Sequence, residues 1–267
     1  MIVIGEKING SIPSVAKAIE ERNADWIRDL AKRQTEAGAT YIDVCASVPV
    51  DIEVETLKWL IDLVQEVTDL PIAVDSPNPD AIVEAIKFCN KPGLVNSVSG
   101  EGDKIAKIFP VIADTKWECI ALCCDDKGIP KCPEDRLRVF AHIMEEAEKY
   151  GIAPNRLHID PLVEMLCTTD DAMANLSVVM NKIRNDYPTI HITGAVSNIS
   201  FNLPYRKIVN LSFLVLAMNA GLDSAILDPT NRDLMGAIFA TEALLGMDDY
   251  CMEYITAFRE GLFGPVK

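Results

Sequence analysis

Short runs of β-branched and aliphatic residues alternate along the chain with longer stretches whose apolar positions recur every three to four residues. The short runs fall at 2–4, 41–44, 72–74, 94–98, 120–124, 157–159, 190–196 and 225–227, and each reads as a buried strand. Between them lie amphipathic stripes: Trp26, Ile27, Leu30, Ala31 and Gln34, then Leu57, Leu60, Ile61 and Val64, which ends before Pro71. The helical spacing continues through Ile82, Ile86, Ile105, Ile108, Leu137, Phe140, Ile143 and Met144, and again over 176–183, 208–220 and 234–245. Asn78 before Pro79 and the pair Asp170-Asp171 read as helix starts, and Gly38, Gly151 and Gly221 as helix ends. The stretch 208–220 is apolar almost all round, which predicts a helix buried on several sides, as at a subunit contact. The tail 248–267 reads as one more helix packed on the end of the fold.

Eight strand candidates, each followed by a helix, are the sequence shape of a (β/α)8 TIM barrel in the α/β class. The runner-up is a doubly wound open sheet. That fold usually carries GxGxxG after its first strand, whereas the segment here is Gly5-Glu6-Lys7-Ile8-Asn9-Gly10, with a different spacing. No linker or low-complexity stretch divides the chain, so residues 1–267 are expected to form a single barrel domain.

Composition narrows the function classes. Lys and Arg number 25 against 40 Asp and Glu, a formal charge of −15, which argues against a nucleic-acid partner, since phosphate binding needs a basic surplus. No run approaches the roughly 18 apolar residues of a membrane span, and the N-terminus has no signal-peptide pattern; a cytoplasmic protein is expected. The eight Cys form no CxxC pair and only three His are present, so no metal site is expected and the thiols read as reduced, Cys119, Cys123 and Cys124 as core.

Polar residues gather where the predicted strands end. Glu6 and Asn9 follow the first, Asp43 closes the second, Asp75 the third, Asn96 interrupts the fourth and Asp125-Asp126 follow the fifth. Asp160 closes the sixth before a proline, Asn198 the seventh after Ser197, and Asp228 follows the eighth. One such residue alone is readily explained as a turn or helix cap. In a barrel, however, all eight ends face one mouth. Ionised carboxylates only accept hydrogen bonds while carboxamides donate and accept, a set suited to a ring with adjacent N–H donors and a carbonyl, such as an aminopyrimidinone. Clustered Asp also serves Mg²⁺, but the late loops lack a phosphate-binding glycine run.

Gly5-Glu6-Lys7-Ile8-Asn9-Gly10, Val74-Asp75-Ser76, Val95-Asn96-Ser97, Ile159-Asp160-Pro161-Leu162 and Val196-Ser197-Asn198-Ile199-Ser200 resemble the methyltetrahydrofolate:corrinoid-protein methyltransferases. That family shares its pterin-binding barrel with dihydropteroate synthase and with the folate domain of cobalamin-dependent methionine synthase. The resemblance covers essentially the whole chain, and the Ser-Asn-Ile-Ser-Phe run favours the methyltransferases. It implies that Asp75, Asn96 and Asp160 hold the pterin ring of (methyl)tetrahydrofolate and that Asn198 contacts N5, the methyl-bearing nitrogen. It places Asn202, Arg206, Ser197 and Ile226 at the substrate, and Asp43, Glu6 and Asn9 line the same mouth. The corrinoid is expected on a separate protein docked over the mouth, because the chain has no corrinoid-binding His motif, and the resemblance implies a homodimer. Two departures stand out: Cys45, where the acetogenic enzymes have Asn, and Ala195, where they have Gly; both lean toward enzymes that load tetrahydrofolate during O- or N-demethylation. The competing readings are a dihydropteroate synthase-like enzyme and a non-catalytic folate-binding module.

Overall fold

The computed structural model describes residues 1–265. Eight parallel strands follow one another around a barrel: β1 (Ile2–Asn9), β2 (Tyr41–Cys45), β3 (Ile72–Asp75), β4 (Leu94–Gly100), β5 (Glu118–Asp125), β6 (Leu157–Asp160), β7 (His191–Ile192) and β8 (Ser224–Leu227). The strand order is β7-β6-β5-β4-β3-β2-β1-β8, so each strand lies beside its sequence neighbour and β1 also pairs with β8. The last seam, between β7 and β8, is closed by single contacts: Asp223 N to Ile192 O at 3.2 Å, Ile226 N to Gly194 O at 3.0 Å, and a bridge between Ala195 and Ile226.

The outer ring comprises α1 (Pro13–Glu20), α2 (Ala24–Glu36), α3 (Val50–Gln65), α4 (Pro79–Ala85), α5 (Lys104–Ile112), α6 (Pro133–Lys149), α7 (Ala172–Asp186), α8 (Arg206–Asn219), α9 (Arg232–Leu244) and α10 (Met252–Glu260). Their apolar faces and the outward side chains of the strands form one continuous core. Inside the barrel a second cluster of Ile4, Tyr41, Ala73, Leu94 and Ile120 fills the lumen. The barrel is therefore solid, and ligand space is confined to its ends. Among the described residues no helix is long and apolar enough to cross a membrane.

The alternation of apolar runs located all eight strands, and the cap at Asn78 is real: its side chain accepts from Asp80 N. Five points of the sequence reading need correction. β1 extends to Asn9 through an irregularity between Gly5 and Ile8, so Glu6 and Asn9 sit on the strand rather than after it. Helix α1, opened by Pro13, carries no long stripe and was not foreseen. The seventh strand does not run over 190–196. Ladder pairing stops at Ile192, because beyond it the backbone bonds its two neighbours one group at a time, and Val196–Ser200 winds into a 3-10 turn. Helix α8 is also less enclosed than its composition suggested: Phe213, Leu214, Ala217 and Met218 are buried, while Ile208, Val215 and Leu216 face outward. In the tail, α10 is shorter than the predicted 248–267, of which residues 266–267 lie outside the described residues.

The end of the barrel where the strands begin is plugged by polar side chains. Tyr41 Oη donates to Glu118 Oε2 at 2.9 Å, His158 Nε2 meets the same oxygen at 2.9 Å, and His158 Nδ1 meets Ser224 Oγ at 2.9 Å. Burial holds the His158 imidazole below its usual range, so it is neutral, donating from Nε2 to the carboxylate and accepting from Ser224. At the opposite end, Gly10 of the Gly5–Gly10 run passes hard against the end of β2. Its N–H donates to Cys45 O at 2.9 Å, and a Cβ there would lie 2.0 Å from Ala46 O. Gly10→Ala is expected to lower unfolding free energy by about 1–3 kcal/mol, as overpacking does. A urea titration reads this directly, and an unchanged midpoint would show that the two chain ends separate freely.

Candidate functional site

At the carboxyl ends of the strands a cleft of about 600 Å³ is lined by Glu6, Asn9, Asp43, Asp75 and Asn96 on one side. Ser197, Asn198, Arg206 and Ile226 line the other. The start of α1 adds Ser11, Ile12 and Pro13, and the turn after β7 adds Ala195 and Phe201. A second cavity of about 470 Å³ adjoins it and is lined by Asp160, Leu162, Val163, Met165, Asn198 and Phe201 among others. Asn198 and Phe201 belong to both cavities, so the Asn198 turn stands where they meet.

Each polar group is held by its strand or by its neighbours. Asp43 is 2% exposed, and Asn96 Nδ2 donates to its Oδ1 at 3.0 Å. That bond fixes the Asn96 amide and leaves its Oδ1 and one N–H for a ligand. Burial pushes the Asp43 carboxyl well above the usual range, and Asp75 beside it pushes further. Burial likewise raises Asp75 to about 6, against the hydrogen bond it accepts from the Cys45 thiol. The thiol in turn lies 3.3 Å from Ser47 Oγ, and burial pushes it far above its ordinary range, so it is a neutral link in the wall. Asn9 Oδ1 accepts from Ser11 N at 2.9 Å and ties β1 to α1. Glu6 is raised to about 7, chiefly by burial and then by Asp228, with Lys7 and Arg206 pulling the other way. Asp160 is raised to about 6 by burial, although Leu162 N donates to its Oδ1 at 2.7 Å.

The turn that carries Asn198 is clamped from outside. Arg206 Nη2 donates to Ser197 O at 2.6 Å, its Nε to Ser200 Oγ at 3.0 Å, and the guanidinium stands 5.5 Å from the Phe201 ring centre. Asn198 N bonds Ala195 O at 3.2 Å and its carbonyl accepts from Phe201 N at 3.1 Å, which leaves the side-chain amide exposed at the mouth. Arg206 thus spends two of its groups on the turn itself.

The cleft gathers Glu6, Asn9, Asp43, Asp75, Asn96, Ser197, Asn198, Arg206 and Ile226, and Asp160 faces the adjoining cavity. Asn202 stands apart: it is exposed, in the left-handed region at φ 63°, and lines neither cavity. The strand-end carboxylates also divide. Asp125 accepts from Lys127 N and from Arg138, and Asp126 from Gly102 N. Asp228 accepts from Thr230 and pairs with Lys7 at 3.4 Å. These three serve turns and ion pairs, so convergence at the mouth rests on the other strands. Sequence reasoning missed Ser11, Ile12, Pro13 and Phe201; Pro13 at a helix start was the only available signal for the first three.

The chain matches the model of the pterin binding enzyme family over residues 6–228. It is 52% identical over 269 residues to a methylcorrinoid:tetrahydrofolate methyltransferase of Eubacterium limosum, covering 100% of this chain and 99% of that one. A methionine synthase of Mycobacterium leprae (strain TN) is 26% identical over 250 residues, 87% of this chain but 21% of that longer protein. Among solved structures, the Yersinia pestis dihydropteroate synthase bound to a pterine-sulfa conjugate superposes with a TM-score of 0.69. It is 20% identical, with 92% of this chain and 93% of that one covered, a likeness of fold. The chain belongs to the pterin-binding enzyme family.

Proposed function

We propose that this pterin-binding enzyme moves a methyl group between N5 of tetrahydrofolate and the cobalt of a corrinoid held on a separate protein. The 52% identity over the full chain to a methylcorrinoid:tetrahydrofolate methyltransferase carries the reading. The donor set of the mouth fits the folate. Carboxylates at Asp75 and Asp160, with the amide oxygen that Asn96 has free, offer acceptors to the exocyclic amine and ring N–H groups of a pterin. The corrinoid supplies a methyl–cobalt bond that breaks with both electrons left on the metal.

In this reading Asp75, Asn96 and Asp160 orient the ring, and Asn198 acts at N5. A methyl leaving folate needs N5 protonated, and a methyl arriving displaces the N5 proton. Asn198 accepts a hydrogen bond from N5–H and can turn its amide as the charge on N5 changes. Glu6, held at about 7 in the same cleft, is able to take or give a proton near neutral pH. Ile226 and Phe201 wall the ring apart from water.

Its partners in this reading are the corrinoid protein over the mouth and a second copy of the chain in a cytoplasmic homodimer. Exposed Ile208, Val215 and Leu216 on α8 support the subunit contact. The test is incubation with methylcobalamin and tetrahydrofolate, with chromatography of the folates. Formation of 5-methyltetrahydrofolate is expected. Folate binding with no product from either free methylcobalamin or a methylated corrinoid protein would make the chain a binding module. Condensation of a pterin pyrophosphate with 4-aminobenzoate would make it a dihydropteroate synthase.

A further inference from the structure

We propose that Arg136 is a positioning residue for folate binding: from behind the cleft it anchors Glu164, and through that loop it fixes both the Asp160 carboxylate and the Asn198 turn. The inference rests on the folate reading above, and its test separates the two.

Arg136 lies in the first turn of α6 and is completely buried, with its Nη2 paired to Glu164 Oε2. Its Nε and Nη1 have no hydrogen-bond partner among the described residues. A buried cation is costly to desolvate, and an apolar side chain of similar volume would serve stability as well or better. What the guanidinium does provide is a fixed charge and an anchor at one place.

That place is the segment after β6. Asp160 is tied at one end by Leu162 N, with Leu162 itself at φ 70°, and Glu164 is tied at the other by Arg136. The next residues reach across to the catalytic turn: Leu166 N donates to Ile199 O at 3.1 Å, and the Cys167 thiol to Phe201 O at 3.4 Å. A loop held by Arg136 therefore carries part of the scaffold of Asn198.

The charge matters as well as the anchor. Asp160 must be ionised to accept two hydrogen bonds from pterin N–H groups. The groups acting on it are the Cys123 and Cys124 thiols of β5, both pushed up by burial and neutral, and Arg136 of α6, whose guanidinium is paired with Glu164 of the Asp160 loop. On the β7 side stands Gly194, where a Cβ would lie 3.9 Å from Asp160 Oδ1. Arg136 is thus the cation that opposes the burial of Asp160.

The experiment is calorimetric titration of tetrahydrofolate into the full chain from pH 5.5 to 8.5, for wild type, Arg136→Lys, Glu164→Gln and the double variant Arg136→Met/Glu164→Met. The ligand's own titration is common to all four. The double variant removes both members of the ion pair, so neither is left stranded, while Asp160 loses its facing cation; it is expected to move the acid limb of affinity upward by about one pH unit or more, with affinity recovering at alkaline pH. Arg136→Lys keeps the limb in place and binds more weakly, having lost the fork that grips Glu164. Glu164→Gln moves the limb downward, because the guanidinium then acts on Asp160 without its counter-charge. An equal loss at every pH, with the limb unmoved, overturns the proposal. If near-ultraviolet circular dichroism shows the double variant unfolded, Glu164→Gln decides alone: a downward shift supports and an unmoved limb overturns. Wild type that binds no tetrahydrofolate at any pH sinks the functional reading itself.

Discussion

Asn198→Ala is expected to slow methyl transfer by about 10²–10³ while changing the tetrahydrofolate dissociation constant by less than about threefold. The asymmetry follows from where the side chain sits. The backbone of Asn198 is bonded within its turn and the turn is clamped by Arg206, so the exposed amide is free to respond to one ligand atom. In the proposed reading ring binding rests on Asp75, Asn96 and Asp160, which the substitution leaves untouched. An interaction that strengthens only as N5 changes charge contributes to the rate and not to ground-state affinity. Single-turnover rates set beside calorimetric binding check the split. Equal, small losses in both would reduce Asn198 to a wall of the cleft.

Asp160→Asn is expected to act in opposite directions on binding and on stability. The amide presents an N–H toward pterin donors and removes a charge-assisted pair, a loss of about 2–4 kcal/mol, or roughly 30- to 1000-fold in affinity. Stability moves the other way. The folded carboxyl is raised from 3.8 to about 6 by burial, a value that already includes the pull of Arg136. A raised folded value means that the proton binds the native state more tightly. The stabilising effect is full below about pH 4 and is lost as pH rises through about 6. At pH 7.5 the buried carboxylate therefore costs roughly 3 kcal/mol, which the neutral amide avoids while keeping an oxygen for Leu162 N. Thermal denaturation at pH 7.5 should show the variant melting higher by about 5 °C or more, the difference vanishing near pH 4. A variant that melts lower at pH 7.5 would mean that Asp160 is a structural residue.

The barrel was legible because its signal is repeated: eight apolar runs, each followed by a helical stripe, admit few other arrangements. Residues such as Asp43, Asp75 and Asn96 were legible because a strand end in a barrel has one direction to face. The end of the seventh strand was misread for a local reason. Residues 190–196 have strand composition, yet beyond Ile192 they bond β6 and β8 by single contacts and turn at Val196, and propensity does not register the loss of a ladder. Asp125 and Asp228 were grouped with the site because sequence position cannot show that Arg138, Lys127, Thr230 and Lys7 take up their oxygens. Arg136 gave no sign at all. A charged residue in the first turn of a helix looks like solvated surface until the segment after β6 is seen to cover it.

The measurement closest to the central claim is the decay of Co(I) absorbance when the protein, methyltetrahydrofolate and a reduced corrinoid are mixed under single-turnover conditions, free cobalamin and a corrinoid protein each being used. Rapid conversion to methyl-Co(III) is predicted for wild type, with a rate about 10²–10³ lower at saturating folate for Asn198→Ala. Co(I) that persists with both acceptors, while the folate is bound, would contradict methyl transfer at this mouth.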